Sequence, residues 1–354
     1  MNRPLAKLIA SLLLSAAALP ALAAQPLHFS MRYLGDFAPT AMNNLGHVVG
    51  WGLSDDAHTA IVHDGTSGTF IGSPGGPSFA YGINDAGQIV GRTDRAAFIY
   101  SGGTFTEIGG PGSLASGINN AGQVTGATLA DNTFHGFIYS NGQLTDLAPG
   151  NSSAGMGINS HGQVAGWIDA LLPKPALFSN GTATDLSAAL PSSIPSRASA
   201  INDNGQMLMQ TSNMGDGAVT AFLYADGVAT AMGRLGPFEE ETLARDLNNA
   251  GIAVGNTINT RARTGFIWQD GALYDINTLV SGLSDWHIEE AVAINENNQI
   301  AAYACRGDFG DYQCGTLLLS AVAPVPEPSA YAMMVGGLGL MGFMARRRRA
   351  TPKA

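Results

Sequence analysis

Ile83-Asn84-Asp85-Ala86-Gly87-Gln88-Ile89-Val90-Gly91 is the stretch on which the fold turns. An apolar residue, Asn, two variable residues and Gly lead into Gln and a short β-prone triplet. The pattern returns in register as Met42–Gly50, Ile118–Gly126 and Ile158–Gly166, then with drift as Ile201–Met207, Leu247–Gly255 and Ile294–Ile300. Its asparagines, Asn43, Asn84, Asn119, Asn159, Asn202, Asn248 and Asn295, lie 35 to 47 residues apart. Asn tolerates the left-handed region and Gly enters it freely, so Asn-x-x-Gly reads as a tight hairpin.

A second motif falls between the copies: Ala97-Phe98-Ile99-Tyr100-Ser101-Gly102-Gly103, Gly136–Gly142, Ala176–Gly181, Ala221–Gly227 and Gly265–Gly271. Weaker versions are Ala60–Gly65 and Thr316–Leu319. Its Asn/Asp-Gly end marks another hairpin. A short strand follows, as in Thr104–Ile108, Gln143–Leu147 and Ala272–Ile276. Each unit then holds about four short strands in ~40–45 residues, the size of a propeller blade. Strand alternation places Phe98 and Tyr100 on one face, and likewise Phe137 with Tyr139, Phe222 with Tyr224 and Phe266 with Trp268. These aromatics read as packing between blades, with sugar stacking as the alternative.

The expected fold is all-β, a seven-bladed propeller over residues 24–320. The seventh unit lacks its last strand, and Tyr33-Leu34-Gly35 near the N-terminus looks like it. The N-terminal strand is therefore expected to complete the last blade and leave no open edge. An open β-solenoid of the same units is the alternative.

Composition agrees. Of 354 residues 46 are Gly, 45% are hydrophobic and only 12% are charged. That argues against disorder and against a helical bundle rich in Glu and Lys. A net charge of −10 argues against nucleic-acid binding.

The two ends read as addresses. Arg3 and Lys7 precede the apolar run Leu8–Leu19, and Ala21-Leu22-Ala23 is a small-x-small cleavage site. Residues 1–23 are thus expected to form a signal peptide, cut between Ala23 and Ala24 or one residue later. At the other end a Pro-rich linker, residues 321–328, includes Val325-Pro326-Glu327-Pro328. The uncharged run Ser329–Ala345 and the cluster Arg346-Arg347-Arg348-Arg349 follow, within residues 329–354. Seventeen residues at ~1.5 Å each span roughly 25 Å, enough for a transmembrane helix with its arginines on the cytoplasmic side. Loss of both ends would take the net charge to about −17, a soluble surface that repels anionic polymers.

The tail resembles the PEP-CTERM sorting signal of Gram-negative bacteria, in which Pro-Glu-Pro, an apolar helix and an arginine cluster occur in that order. The resemblance implies recognition and processing near Pro326-Glu327-Pro328 by an exosortase-type enzyme, transient anchoring in the inner membrane, and a place at the cell surface or in exopolysaccharide. A single-pass anchor that is never cut is the alternative. The repeats between Asn43 and Leu319 resemble the HAF family of extracellular repeats through their Ile-Asn-x-x-Gly-Gln half. The His-Ala-Phe half is degenerate, its nearest copies being Ala97-Phe98, His135-Gly136-Phe137 and Ala221-Phe222. That family supplies no chemistry to carry over.

Cys305 and Cys314 are the only cysteines, and an even pair in an exported chain favours a disulfide. Among the seven histidines none forms a His-x-x-x-His pair, and His47 and His161, within the Asn turns, read as solvated. No Gly-x-Ser-x-Gly elbow or calcium loop occurs. Asp308, Asp311 and Glu239-Glu240-Glu241 read as solvated loops. No catalytic residue, metal site or cofactor is expected. The expected function is accordingly that of a non-enzymatic surface or matrix protein that binds polysaccharide or protein. The alternatives are a glycan-active enzyme with its site at the channel mouth, and a purely architectural repeat.

Overall fold

A computed structural model describes residues 26–322 except 73–75, 192–194, 213–218, 238–240, 261 and 308–311. The chain forms seven sheets in sequence order, six of four strands and one of five, as a seven-bladed β-propeller. The innermost strands of blades 1 to 7 are Ala38–Met42, Ser78–Ile83, Leu114–Ile118, Ser153–Ile158, Ser196–Ile201, Glu241–Leu247 and His287–Ile294. In blades 1 to 6 each later strand pairs antiparallel with the one before it.

Blade 7 draws on both ends of the described chain. His28–Gly35 pairs antiparallel with Gln313–Val322, from His28↔Val322 to Gly35↔Thr316. The outermost position in that sheet is taken by Val280–Ser281, parallel to His28–Gly35. That two-residue strand has no signal in the sequence. The signal-peptide and tail segments lie outside the described residues. Among the described residues no helix is long and apolar enough to cross a membrane.

The core is a series of clusters between adjacent blades. Val49 and Ala60 of blade 1 meet Ala80 and Phe98 of blade 2, and Val90 and Ala97 of blade 2 meet Ala115, Val124 and Phe137 of blade 3. Phe98, Phe137 and Phe266 are wholly buried, each contributing roughly 1.5–3 kcal/mol. Tyr100 and Tyr139 pack half-buried on the same clusters. The Asn/Asp-Gly hairpins take the mirror-image turn their sequence demands: Asn141, Asn180, Asp226 and Asp270 have φ of 50–52°, and the Gly after each has φ of 75–85°.

The Asn-x-x-Gly turn differs from its expected form. Its Gly is left-handed, with φ of 74–79° in blades 1 to 6, but its Asn keeps a negative φ. That Asn is there for its side chain, which is buried in all seven blades.

Candidate functional site: the axial channel

The seven buried asparagines form a closed circuit around the propeller axis. Each Nδ2 donates to the backbone carbonyl of the next Asn: Asn43 to Asn84 at 3.0 Å, Asn84 to Asn119 at 3.1 Å, Asn119 to Asn159 at 2.9 Å and Asn159 to Asn202 at 3.1 Å. Asn202 continues to Asn248 at 2.9 Å, Asn248 to Asn295 at 3.3 Å, and Asn295 returns to Asn43 at 3.1 Å. Each Oδ1 meanwhile accepts from its own turn, as Asn119 does from the N–H of Ala121 and Gln123. The motif Gln supplies the remaining acceptor: Gln88, Gln123, Gln163, Gln206 and Gln299 take the second Nδ2 proton of their Asn at 2.7–2.9 Å. A buried amide with every hydrogen bond made is costly to replace, because its partners would be stranded.

The residue after each Asn builds a rim above this ring. Asp85 accepts from the backbone and side chain of Asn44 at 2.8 and 3.0 Å, and from Asn120 at 2.7 Å. Asp203 accepts from the Ser160 backbone at 2.8 Å and from Asn249 at 3.1 Å. Burial pushes both carboxyls upward, but these hydrogen bonds outweigh it and hold both below the ordinary carboxylate value. Glu296 goes the other way: burial, and next to it the charge of Asp203, outweigh its hydrogen bond from Asn249 and raise it. His47 and His161 sit in the turns beside Asp85 and Asp203.

Below the ring every innermost strand carries a β-bulge at the same place, between Ala80 and Gly82 in blade 2 and between Ala115 and Gly117 in blade 3. The extra residues are Thr40, Tyr81, Ser116, Met156, Ser199, Arg245 and Val292, and the bulge turns all seven toward the axis, where they line a lower cavity of about 240 Å³. Blades 5 and 7 carry the bulge with Met209 and Ala302 at the last position of the motif, whereas the Gly of the other blades admits a closely approaching carbonyl. A Cβ on Gly126 would lie 2.0 Å from the Leu114 carbonyl, and one on Gly91 would lie 1.9 Å from that of Phe79.

An upper cavity of about 220 Å³ lies inside the ring and rim. Asp246 lines both cavities. It stands two residues before Asn248, where the other blades have Ala41, Gly82, Gly117, Gly157, Ala200 and Ala293. Asp246 is half-buried, with its open side toward the channel. Its Oδ1 accepts from the Leu247 N–H at 2.9 Å and its Oδ2 from the Ile294 N–H at 3.0 Å. Burial first, with Glu296 adding to it, pushes the carboxyl up to about 6. The neighbouring Arg245 is engaged by Glu290 at 2.5 Å. Sequence reasoning passed over Asp246, although aligning the seven motifs on their Asn isolates it at once.

Of the site residues read from the sequence, Cys305 and Cys314 face each other across blade 7 and are joined as a disulfide. Ala23, Ala24, Val325, Pro326, Glu327, Pro328 and Arg346 to Arg349 lie outside the described residues, as do Asp308, Asp311, Glu239 and Glu240. Among the described residues no group of three His, Cys, Asp or Glu is placed to hold a metal ion.

Comparison with known proteins bears on the tail and the fold separately. Comparison with curated proteins gave no match. Among solved structures, the chain superposes on the β-propeller domain of the Trilobed protease from Pyrococcus furiosus with a TM-score of 0.50, at 9% identity over 85% of this chain and 100% of that one. It superposes on a Mycobacterium tuberculosis puromycin-hydrolyzing peptidase with a TM-score of 0.52, at 11% identity over 84% of this chain and 54% of that one. TolB from Acinetobacter baumannii gives 0.47 at 15% identity, over 68% and 64%. This chain thus spans about half of the peptidase and under two thirds of TolB. Identities this low show the fold alone. They do correct the expectation that the protein is not an enzyme, since propellers of this shape occur within peptidases and the fold gives no ground for excluding catalysis. The HAF resemblance of the repeats gains no support from these comparisons. The tail does: residues 324–349 match the model of the PEP-CTERM protein-sorting motif, which marks an exported protein recognised by an exosortase-type processing enzyme.

Proposed function

We propose that this protein is exported through a cleaved signal peptide and held by Ser329–Ala345 in the inner membrane. An exosortase-type enzyme then processes it near Pro326-Glu327-Pro328 and leaves the propeller at the cell surface or in exopolysaccharide, where the axial channel is its ligand site. The observation that carries this reading is the sorting motif at residues 324–349, which begins two residues after the last strand ends at Val322. Nothing but a short linker separates folded body from sorting tail, so the propeller is the cargo. Pro326 and Pro328 disfavour a helix before them and keep the peptide extended, as a processing enzyme requires. Four arginines make translocation of the far end costly. The disulfide suits an oxidising compartment. We also propose that the pairing of His28–Gly35 with Gln313–Val322 holds the ring of blades closed.

Mass spectrometry of the mature C-terminus tests the sorting. The expected product ends near Pro328 and lacks the basic tail, and replacing the four arginines with neutral residues should lower its yield. Recovery of intact Ala354 from surface-released protein would refute the processing. A second reading, catalysis on an extracellular glycan, is favoured by Asp246 and Glu296 lining one cavity with both carboxyls raised. Release of new reducing ends from purified exopolysaccharide would establish it.

A further inference from the structure

We infer that the axial channel is a receptor for a compact primary amine, whose ammonium is taken by Asp246. The inference rests on reading the channel as the ligand site. It begins from an imbalance. A carboxylate withdrawn from water is ordinarily paired with a cation. Among the described residues Asp246 has no ion pair, and the one basic side chain beside it, Arg245, is engaged by Glu290. The fold does not need an acid here, because six blades make the same innermost strand with Ala or Gly at this position.

The charged groups that line the channel with Asp246 come from four blades, Asp85 of blade 2 among them. Arg245 lies below it on its own strand, Glu296 of blade 7 lies above, and Asp203 of blade 5 is on the rim. The balance is negative, and with Asp85 the rim draws cations toward the mouth.

The hydrogen bonds then narrow the ligand. Each Asp246 oxygen already accepts one backbone N–H, so each keeps a single free lone-pair direction toward the channel. That suits the compact, freely rotating donors of an ammonium better than the rigid two-pronged fork of a guanidinium. A divalent metal would need several oxygen ligands at once, and no cluster of three candidate ligands occurs among the described residues. The space sets the size. About 220 Å³ inside ring and rim holds a monosaccharide-sized molecule or smaller. The ring amides are already satisfied, so the rim amides Asn44, Asn120 and Asn249 and the rim carboxyls of Asp85, Asp203 and Glu296 offer the donors and acceptors that hydroxyl groups require. An amino sugar with a free amine satisfies every one of these terms.

Calorimetric titration of the mature exported protein with glucosamine, with glucose and N-acetylglucosamine as uncharged counterparts, provides the test. At pH 7.5 glucosamine should bind at least tenfold more tightly than either. That preference should shrink severalfold at pH 5, where Asp246 is largely protonated. D246N and D246A should abolish it. D246A places in blade 6 the residue that blades 1, 5 and 7 already carry, so it should fold, and thermal unfolding checks this. Equal affinity for all three sugars, or a preference for glucosamine that survives in D246A, would overturn the amine receptor, as would failure to bind any of them or ethanolamine. If neutral sugars bind in the channel and D246A changes nothing, the channel remains a ligand site and only the amine is refuted. Ethanolamine bound through Asp246 with no sugar bound would uphold the amine and refute a glycan ligand.

Discussion

Blades 3 and 6 are built on one template and differ where the template is broken. Blade 3 obeys every rule. Asn119 makes four hydrogen bonds, Gln123 is its acceptor, Ser116 fills the bulge and donates to the Gly155 carbonyl at 2.7 Å, and Gly117 and Ala127 flank these positions. Blade 6 places Arg245 in the bulge, Asp246 for Gly117, Ile252 for Gln123 and Asn256 for Ala127. Its side chains also hold every buried nitrogen or oxygen without a partner among the described residues, on Asn256, Thr257 and Trp268. Unsatisfied polar atoms and a half-buried, unpaired charge both cost stability. Blade 3 shows what the ring needs. Blade 6 shows where the molecule carries polar groups that the ring does not use, the usual mark of a site kept for a purpose other than folding.

The largest effect is expected from breaking blade 3 at its centre. Asn119→Ala strands the N–H groups of Ala121 and Gln123, the Gln123 side chain and the Asn159 carbonyl. At about 1–3 kcal/mol for each buried unsatisfied group, partly relieved by relaxation, the loss should be roughly 3–5 kcal/mol. Asn44→Ala, on the rim one residue beyond the ring, should cost under about 1 kcal/mol because water reaches its partners. Urea denaturation of the two variants measures both. Equal losses would mean that the ring is no more important than the rim.

Asp246 should show the opposite sign. Its carboxyl titrates near 6 in the folded protein, against an ordinary value of 3.8. Between those values the folded state binds the proton and the unfolded state does not, so this group's contribution to stability falls as pH rises from 4 to 6 and is flat above. Asp246→Ala removes that fall. Whatever the variant loses in backbone hydrogen bonds, its stability relative to the parent should shift in its favour by about 2 kcal/mol between pH 4 and pH 7.5. The same substitution has no counterpart in blade 3, where Gly117 already leaves the channel uncharged. A difference that does not change with pH would place the Asp246 carboxyl in contact with bulk water.

These expectations show which parts of the molecule were legible beforehand. Blade number and hairpins follow from local chemistry: an Asn, a Gly and an alternating apolar run each act within a few residues, so seven copies of the motif count seven blades. The ring was not legible, since the Nδ2 of Asn84 finds its acceptor 35 residues away, at Asn119. Nor were the bulges, which are a matter of register between neighbouring strands and occur opposite Gly126 in blade 3 and opposite Met209 in blade 5 alike. Asp246 stood in plain view at a position otherwise held by Ala or Gly. Its altered titration owes much to Ile294 and Glu296 of blade 7, which leave no trace in the sequence around it.

The smallest expected effect tests how the ring repairs a missing Gln. In blade 6 Ile252 replaces the acceptor and joins the apolar cluster around Ile288 and Leu317. The second Nδ2 proton of Asn248 goes instead to Asn298 Oδ1 at 2.9 Å, a side chain of blade 7. Asn298 occupies the Gly position of its own turn, with φ of 56°. Asn298→Gly therefore removes one half-buried acceptor, a loss of about 1 kcal/mol, and relieves a left-handed residue, a gain of similar size. The net change should lie within about 0.5 kcal/mol of zero. With Ile252→Gln in place the Asn298 acceptor is redundant, and Asn298→Gly should then be stabilising by about 1 kcal/mol. Burying an amide in that apolar cluster through Ile252→Gln has its own cost, but the cost cancels when Asn298→Gly is measured with and without it in a double-mutant cycle. A coupling near zero would show that Asn248 does not depend on its neighbour's turn, and that its side chain is held to blade 7 through the backbone carbonyl of Asn295 alone.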